Sequence, residues 1–263
     1  MGILNLTEDS YFAQSRCPDC GSALDRIAQM VDEGADIVDI GACSTRPGAS
    51  EVSATEEWGR LEPLLRVLRS EFPALSVSVD TYRSEIVSRA FELIGDFTVN
   101  DISAGEDDPA MLSVVGSLGL SYIAMHKRGT PQNMQELCDY SNVVAEVASY
   151  FDEFALRAQG AGVKEWILDP GFGFAKTIEQ NYALLRGLSS FKKGYGERGY
   201  RPEILVGISR KSMIYRPLEI TPDQALPATQ ALHMAALERG ADILRVHDVA
   251  QACETVKLYS LIS

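Results

Sequence analysis

Short apolar runs that each end on a polar or charged residue recur along this chain, and no other feature limits its fold so severely. Ser76-Val77-Ser78-Val79 ends in Asp80, Phe97-Thr98-Val99 in Asn100-Asp101, and Trp166-Ile167-Leu168 in Asp169. Ile204-Leu205-Val206-Gly207-Ile208 leads into Ser209-Arg210-Lys211, and Ile243-Leu244-Arg245-Val246 leads to His247. Buried parallel strands read as such runs, and an enzyme of (β/α) type gathers its active site at their carboxyl ends. A polar group there is costly to bury unpaired, so its repetition points to one converging pocket.

Strand candidates are 2–5, 36–41, 76–80, 97–101, 120–126, 166–169, 204–208 and 242–247. Helical patterns lie between them. The clearest, 141–160, sets Val143, Val144, Val147, Tyr150, Phe151, Phe154, Ala155 and Ala158 on one face at helical spacing. Asp139 or Ser141 is placed to cap its start, and Gly160 or Gly162 to end it. The 54–71 and 224–240 stretches read as helices too. An internal echo supports a repeat: Glu33-Gly34-Ala35-Asp36-Ile37-Val38-Asp39-Ile40 resembles Arg239-Gly240-Ala241-Asp242-Ile243-Leu244-Arg245-Val246. Common packing explains that echo more simply than shared origin.

Alternating strand and helix implies a parallel sheet. A length of 263 residues suits one (β/α)8 TIM barrel with its active site at the C-terminal ends of the strands. No long polar linker divides the chain, so a single domain over 1–263 is expected. The longest irregular pieces, 5–20, 41–53, 101–108, 126–138 and 209–223, all follow strands and would crowd one face of the barrel.

A formal net charge of −13 argues against a nucleic-acid surface. An anionic ligand then needs a locally basic pocket, for which Lys211, Arg210 and Arg245 are the candidates. No stretch approaches the ~20 apolar residues of a membrane helix. The start lacks the basic and apolar regions of a signal peptide, and Leu6 removes a myristoylation signal. Five cysteines without regular spacing fit a reducing cytoplasm. Cys17-Pro18-Asp19-Cys20 has the spacing of half a zinc knuckle, but no second Cys or His pair completes it.

Asp169-Pro170-Gly171-Phe172-Gly173-Phe174 follows a strand, and a carboxylate fixed this way can accept a planar pair of N–H donors from a guanidine-like ring edge. An Asp-Pro-Gly turn is the plainer reading of the segment alone. Asp80, Asn100 and Asp169 together favour a site. Lys211, among hydroxyls and main-chain N–H groups, is suited to an anion or a ring carbonyl, or else lies in a solvated basic loop. Arg245 and His247 alternate along the last run and so share a face, inward in a barrel. His126 and His233 read as structural or supporting residues.

Eight segments in order, MGILNLTEDS (1–10), STRPGA (44–49), SVDTYRSE (78–85), NDISAG (100–105), MHKRGTPQNMQ (125–135), ILDPGFGFAKTIEQNY (167–182), VGISRKSMI (206–214) and ADILRVHDV (241–249), resemble the dihydropteroate synthase family. The resemblance implies a (β/α)8 barrel that condenses 6-hydroxymethyl-7,8-dihydropterin diphosphate with p-aminobenzoate, giving 7,8-dihydropteroate and diphosphate with Mg2+ assisting. It implies a pterin site at Asp80, Asn100, Asp169, Phe174, Lys211 and Arg245. Asn5, Arg245 and His247 match the diphosphate end, with Asn5 the metal ligand. Thr45, Arg46, Pro47 and Ser212 match the p-aminobenzoate side, and Thr7, Asp9 and Ser10 belong to a mobile loop. The catalytic set implied is Asp80, Asp169, Lys211, Arg245 and His247, in a cytoplasmic homodimer of small-molecule substrates that meets neither nucleic acid nor membrane.

The chain departs from the family pattern in its loops. Glu8 stands where the family has proline, Tyr11-Phe12-Ala13-Gln14 where it has Phe-Ser-Asp-Gly, and Ala42-Cys43 where it has Gly-Glu. The chain also begins inside the first strand, which is expected to leave the barrel floor less covered. Two other readings share the pterin pocket. One is a non-catalytic pterin-binding paralogue; the other is a pterin-dependent methyltransferase, which has no need of the Ser-Thr-Arg-Pro-Gly loop or the Ser-Arg-Lys-Ser segment.

Overall fold

A computed structural model describes residues 1–6, 20–43, 52–130 and 132–263. Eight strands follow one another in parallel: β1 Gly2–Asn5, β2 Ile37–Gly41, β3 Ser76–Asp80, β4 Thr98–Asp101, β5 Ser121–Met125, β6 Trp166–Asp169, β7 Glu203–Val206 and β8 Ile243–Leu244. The ring closes through single bonds, Ile3 N–H to the Val246 carbonyl at 3.0 Å and Val246 N–H to the Met1 carbonyl at 2.9 Å. The expected strands 204–208 and 242–247 are therefore too long. Chain beyond Val206 and Leu244 stays near the rim, but individual bonds replace the ladder.

Helices alternate with the strands: α1 Cys20–Asp32, α2 Ala54–Glu71, α3 Ser84–Ile94, α4 Met111–Leu118, α5 Val143–Gly160, α6 Ile178–Arg186, α7 Ser212–Tyr215, α8 Leu226–Leu237 and α9 Val249–Ile262. Local sequence fixes several of their starts. Ser53 and Glu56 form a reciprocal capping box on α2, and Thr177 and Gln180 do the same on α6. On α5 the cap is Asn142, not Asp139 or Ser141. Its side chain accepts from the Ala145 N–H, while Glu146 accepts from the Asn142 N–H. Gly160 is the last residue of α5, and Gly162 just beyond it takes a φ of +84°. The 224–240 helix begins later than its pattern, because a 3-10 turn over Pro222–Ala225 precedes α8.

The apolar face of α5 buries Val143, Val147, Phe151, Phe154, Ala155 and Ala158, and Val144 and Tyr150 are only partly covered. This layer between helices and sheet carries most of the core. Inside the ring, the register sets Asn5 beside Gly41, Gly41 beside Asp80 and Asp80 beside Asn100. One turn of strand pleat below lie Ile3, Asp39 and Ser78 in register. Polar residues thus line the mouth and one layer beneath it. The irregular pieces at 7–19 and 44–51 lie outside the described residues.

Candidate functional site

Arg245 organises the mouth of the barrel. Its Nε donates to Asp39 Oδ2 at 2.7 Å, and its second terminal nitrogen reaches Asp39 Oδ2 at 2.6 Å and Asp80 Oδ2 at 2.8 Å. Asn100 Nδ2 donates to the same Asp39 oxygen at 3.0 Å. Burial works against the Arg245 charge, yet Asp39 and Asp80 hold its proton more firmly than usual. Burial, then the nearby Asp39 charge, pushes the Asp80 carboxyl up to about 7, with Arg245 opposing. Gly41 makes the arrangement fit, because a Cβ there would stand 3.3 Å from Asp80 Cβ.

Asp169 ends β6 with its carboxylate buried, accepting from the Gly171 N–H at 2.8 Å. Burial raises its pKa, and Lys211 is the chief opposing influence. Lys211 follows β7. Its Nζ donates to the Phe172 carbonyl at 2.6 Å and lies 4.9 Å from the centre of the Phe174 ring. Burial pushes this ammonium down to about 8, against the pull of Asp169. The result is a strip of opposite charges across the ring, with Asp80 and Asn100 on one side and Asp169, Lys211 and Phe174 on the other.

His247 comes down beside Ser209, Nδ1 to Oγ at 3.1 Å, and burial pushes the imidazole down to about 3. The hydroxyl also accepts from the His247 main-chain N–H at 3.3 Å. A Ser209 donor to Nδ1 leaves the proton on Nε2, an assignment made from this network. His247 is thus a neutral N–H donor, not a second cation. Asn5 is half-buried at the end of β1, and Ser212 opens the short α7 directly after Lys211.

The described contacts of Arg210 are with the scaffold. Its guanidinium grips Asp248 with two bonds of 2.8 Å and donates to the Pro222 and Asp223 carbonyls, tying the 209–212 turn to the start of α9. Arg210 itself takes φ +54°, the left-handed region, and this grip offsets that strain. Thr7, Asp9, Ser10, Thr45, Arg46 and Pro47 lie outside the described residues. The frame of the second loop is visible, since Arg83 bonds both Glu57 and the Val52 carbonyl and meets Cys43 Sγ at 3.5 Å. Burial, with Glu57 adding to it, pushes the Cys43 thiol up to about 12, so it is no thiolate.

Three residues escaped the sequence reading in part or whole. Asp39 is fully buried in the middle of β2 and is the chief partner of Arg245. It holds the place in its segment that Arg245 holds in the echo, which was the available signal. Lys176 and His126 form a buried pair behind Asp169, with Nζ 3.0 Å from Nδ1. Periodicity gives no cue to them. His233 is buried in α8, with Nδ1 3.2 Å from Gln230 Oε1. A groove of about 500 Å³ outside α6 and α7, lined by Tyr182, Arg186 and Arg216 among others, holds none of the residues singled out.

A closed ring of eight parallel strands with charged residues at its carboxyl rim defines a (β/α)8-barrel enzyme site. The Pterin binding enzyme family model matches residues 1–247, and the chain belongs to that family. It is 37% identical to the dihydropteroate synthase of Escherichia coli K12, over 98% of this chain and 89% of that protein. It is 40% identical to the mitochondrial folate synthesis bifunctional protein of Pisum sativum, over all of this chain, and spans about half (53%) of that longer protein. Among solved structures it is similar to Yersinia pestis dihydropteroate synthase with a sulfonamide drug, at a TM-score of 0.91 and 34% identity, covering 99% of this chain and 92% of the other. It is also similar to Burkholderia cenocepacia dihydropteroate synthase complexed with 7,8-dihydropteroate, at a TM-score of 0.87 and 36% identity, covering 99% and 90%. No described helix is long and apolar enough to cross a membrane.

Proposed function

We propose that this chain catalyses dihydropteroate synthesis, a transfer of the pterin methylene from diphosphate to the amine of p-aminobenzoate. The observation that carries the reading is the convergence of Asp80, Asn100, Asp169, Lys211 and Arg245 on one barrel mouth. Residues 1–263 act as one pterin-binding barrel in this reading, in a cytoplasmic homodimer.

The Asp169 carboxylate accepts the paired N–H groups of the pterin's guanidine-like edge, and Lys211 donates to a ring acceptor on the same side. Asn100 and Asp80 meet the opposite edge. The Phe174 ring lies alongside. Departure of diphosphate leaves a cationic methylene conjugated to the pterin, and the two carboxylates stabilise that charge, which favours an SN1-like step. Arg245 and the His247 N–H face the leaving group, and its charge would raise the imidazole's affinity for a proton. Thr45, Arg46, Pro47 and Ser212 hold p-aminobenzoate, whose neutral amine needs no strong base. The loop bearing Thr7, Asp9 and Ser10 excludes the water that would trap the cation.

No group of three His, Cys, Asp or Glu residues suited to a metal occurs among the described residues. In this reading Asn5, half-buried at the end of β1, would hold Mg2+ through its amide oxygen. When bound, the ion neutralises diphosphate charge. The experiment is diphosphate release from the pterin diphosphate with Mg2+, with and without p-aminobenzoate. Release coupled one-to-one to dihydropteroate supports the synthase. Tight pterin binding without release would identify a non-catalytic paralogue, and no binding would overturn the reading.

A further inference from the structure

Among the described residues Lys176 is the most completely enclosed cation near the site, and it has no role in the chemistry above. Only 4% of it is exposed. Its Nζ donates to the Phe174 carbonyl at 2.9 Å and the Gly171 carbonyl at 3.0 Å, meets His126 Nδ1 at 3.0 Å, and lies 3.4 Å from the His126 carbonyl. Three ammonium protons thus have three close acceptors. No described carboxylate forms an ion pair with it, and burial pushes its ammonium down to about 7, with Asp169 the chief opposing influence.

The groups it holds are backbone atoms of one loop. Between the two carbonyls gripped by Lys176, at Gly171 and Phe174, the Phe172 carbonyl faces Lys211 instead. Two lysines therefore hold carbonyls of the same short segment. The loop has few alternatives: Gly171 sits so close to β5 that a Cβ would meet the His126 carbonyl at 1.9 Å, and Ala175 takes φ +49°. His126 N–H in turn bonds the Asp169 carbonyl at 3.0 Å, joining the ends of β5 and β6. His126 is neutral here, pushed by burial and then by Lys176 down to about 2, so Nδ1 can accept.

We propose that Lys176 is a positioning residue for the pterin site, the internal knot of the 169–176 loop that fixes where Asp169 and Phe174 stand. The role rests on the functional reading above, because its consequence is felt by the pterin, whose proposed contacts Asp169 and Phe174 lie in the segment that Lys176 holds. A purely structural lysine would affect melting temperature and both substrates alike.

The test is Lys176→Met in the full chain, with Kd for the pterin diphosphate, KM for each substrate and amide exchange over 169–176. The expected result is a pterin Kd raised about tenfold or more, a p-aminobenzoate KM within about twofold, and faster exchange at Gly171 and Phe174. Unchanged pterin affinity in a folded variant overturns the role. If that variant does not fold, His126→Phe keeps a ring against Tyr150 and removes one acceptor. It should then weaken pterin about threefold or more, and an unchanged value overturns the role equally. Wild-type protein that binds no pterin diphosphate defeats the functional reading, whereas wild-type binding matched by Lys176→Met defeats only the positioning role.

Discussion

Asp39 and Arg245 occupy the same position in two echoing segments of the chain, and they are each other's ion-pair partners at 2.6 Å. Each follows a Gly-Ala-Asp-Ile stretch and each points into the ring, Asp39 on β2 and Arg245 just past β8, on either side of β1. One position, filled by opposite charges, clasps the two strands across their shared neighbour. The same guanidinium then extends to Asp80, so a bond that secures the barrel also sets a residue of the site.

Removing that cation should be costly. Arg245→Met leaves two inward carboxylates without a counter-charge, and we expect a stability loss of about 3–5 kcal/mol in urea unfolding at pH 8. Adding Asp39→Asn to the variant should cost less than the sum of the two changes, because the first has already broken the shared pair. Additive losses would mean that the clasp carries little energy.

Asp169→Asn keeps the shape of the β6 end while removing its charge. Pterin affinity should fall by about 1.5–3 kcal/mol, roughly 10- to 150-fold in Kd by calorimetry. An affinity equal to wild type would take Asp169 out of the site.

All three histidines are pushed below their ordinary 6.5 by burial: His126 to about 2, His247 to about 3 and His233 to about 4. Their imidazole NMR signals should stay flat from pH 8 to 5, and a midpoint near 6.5 in any of them would contradict its burial. The sign for stability follows. Between 6.5 and these values the unfolded chain binds protons that the folded one refuses, so their contribution is full above 6.5 and is lost as pH falls. Asp80, raised to about 7, acts in the opposite sense over the acid range.

Two glycines separate packing from function. At Gly116 in α4 a Cβ would meet the Ala161 carbonyl at 2.1 Å, and at Gly171 the His126 carbonyl at 1.9 Å. Each change to Ala should cost about 1–3 kcal/mol in thermal unfolding. Only Gly171→Ala should also weaken pterin binding, since only it moves the Asp169 loop.

Strand ends were the legible part of this molecule. Runs such as 76–80 and 166–169 are apolar because helices cover the sheet, so the residue where apolarity stops marks the rim, and Asp80 and Asp169 stand there. Asp39 was harder to see because it lies within a run, where charge is tolerated only through a partner 206 residues away. The α5 cap moved to Asn142 because Glu146 completes it, a reciprocal contact that a list of capping residue types does not weigh. Arg210 looked like pocket chemistry from its neighbours, yet Asp248 claims it. Lys176 is legible only in three dimensions, since what it binds is main chain, and main chain has no letter.

The ring is shut by bonds at Val246 rather than by a full ladder, and two residues of the proposed site sit on either side of that seam: Asn5 on β1, Arg245 beside β8. Contacts between residue 3 and residue 246 are among the slowest kind for a chain to find. A partly folded chain with its ends apart therefore lacks the diphosphate end of the proposed site, while Asp80, Asn100, Asp169 and Lys211 stay on or just after the strands between. A diphosphate-bearing ligand that bridges the seam would bind the closed ring best, and by mass action would act as the ring's last staple. In the proposed synthase, the enzyme's own substrate would then favour the finished barrel.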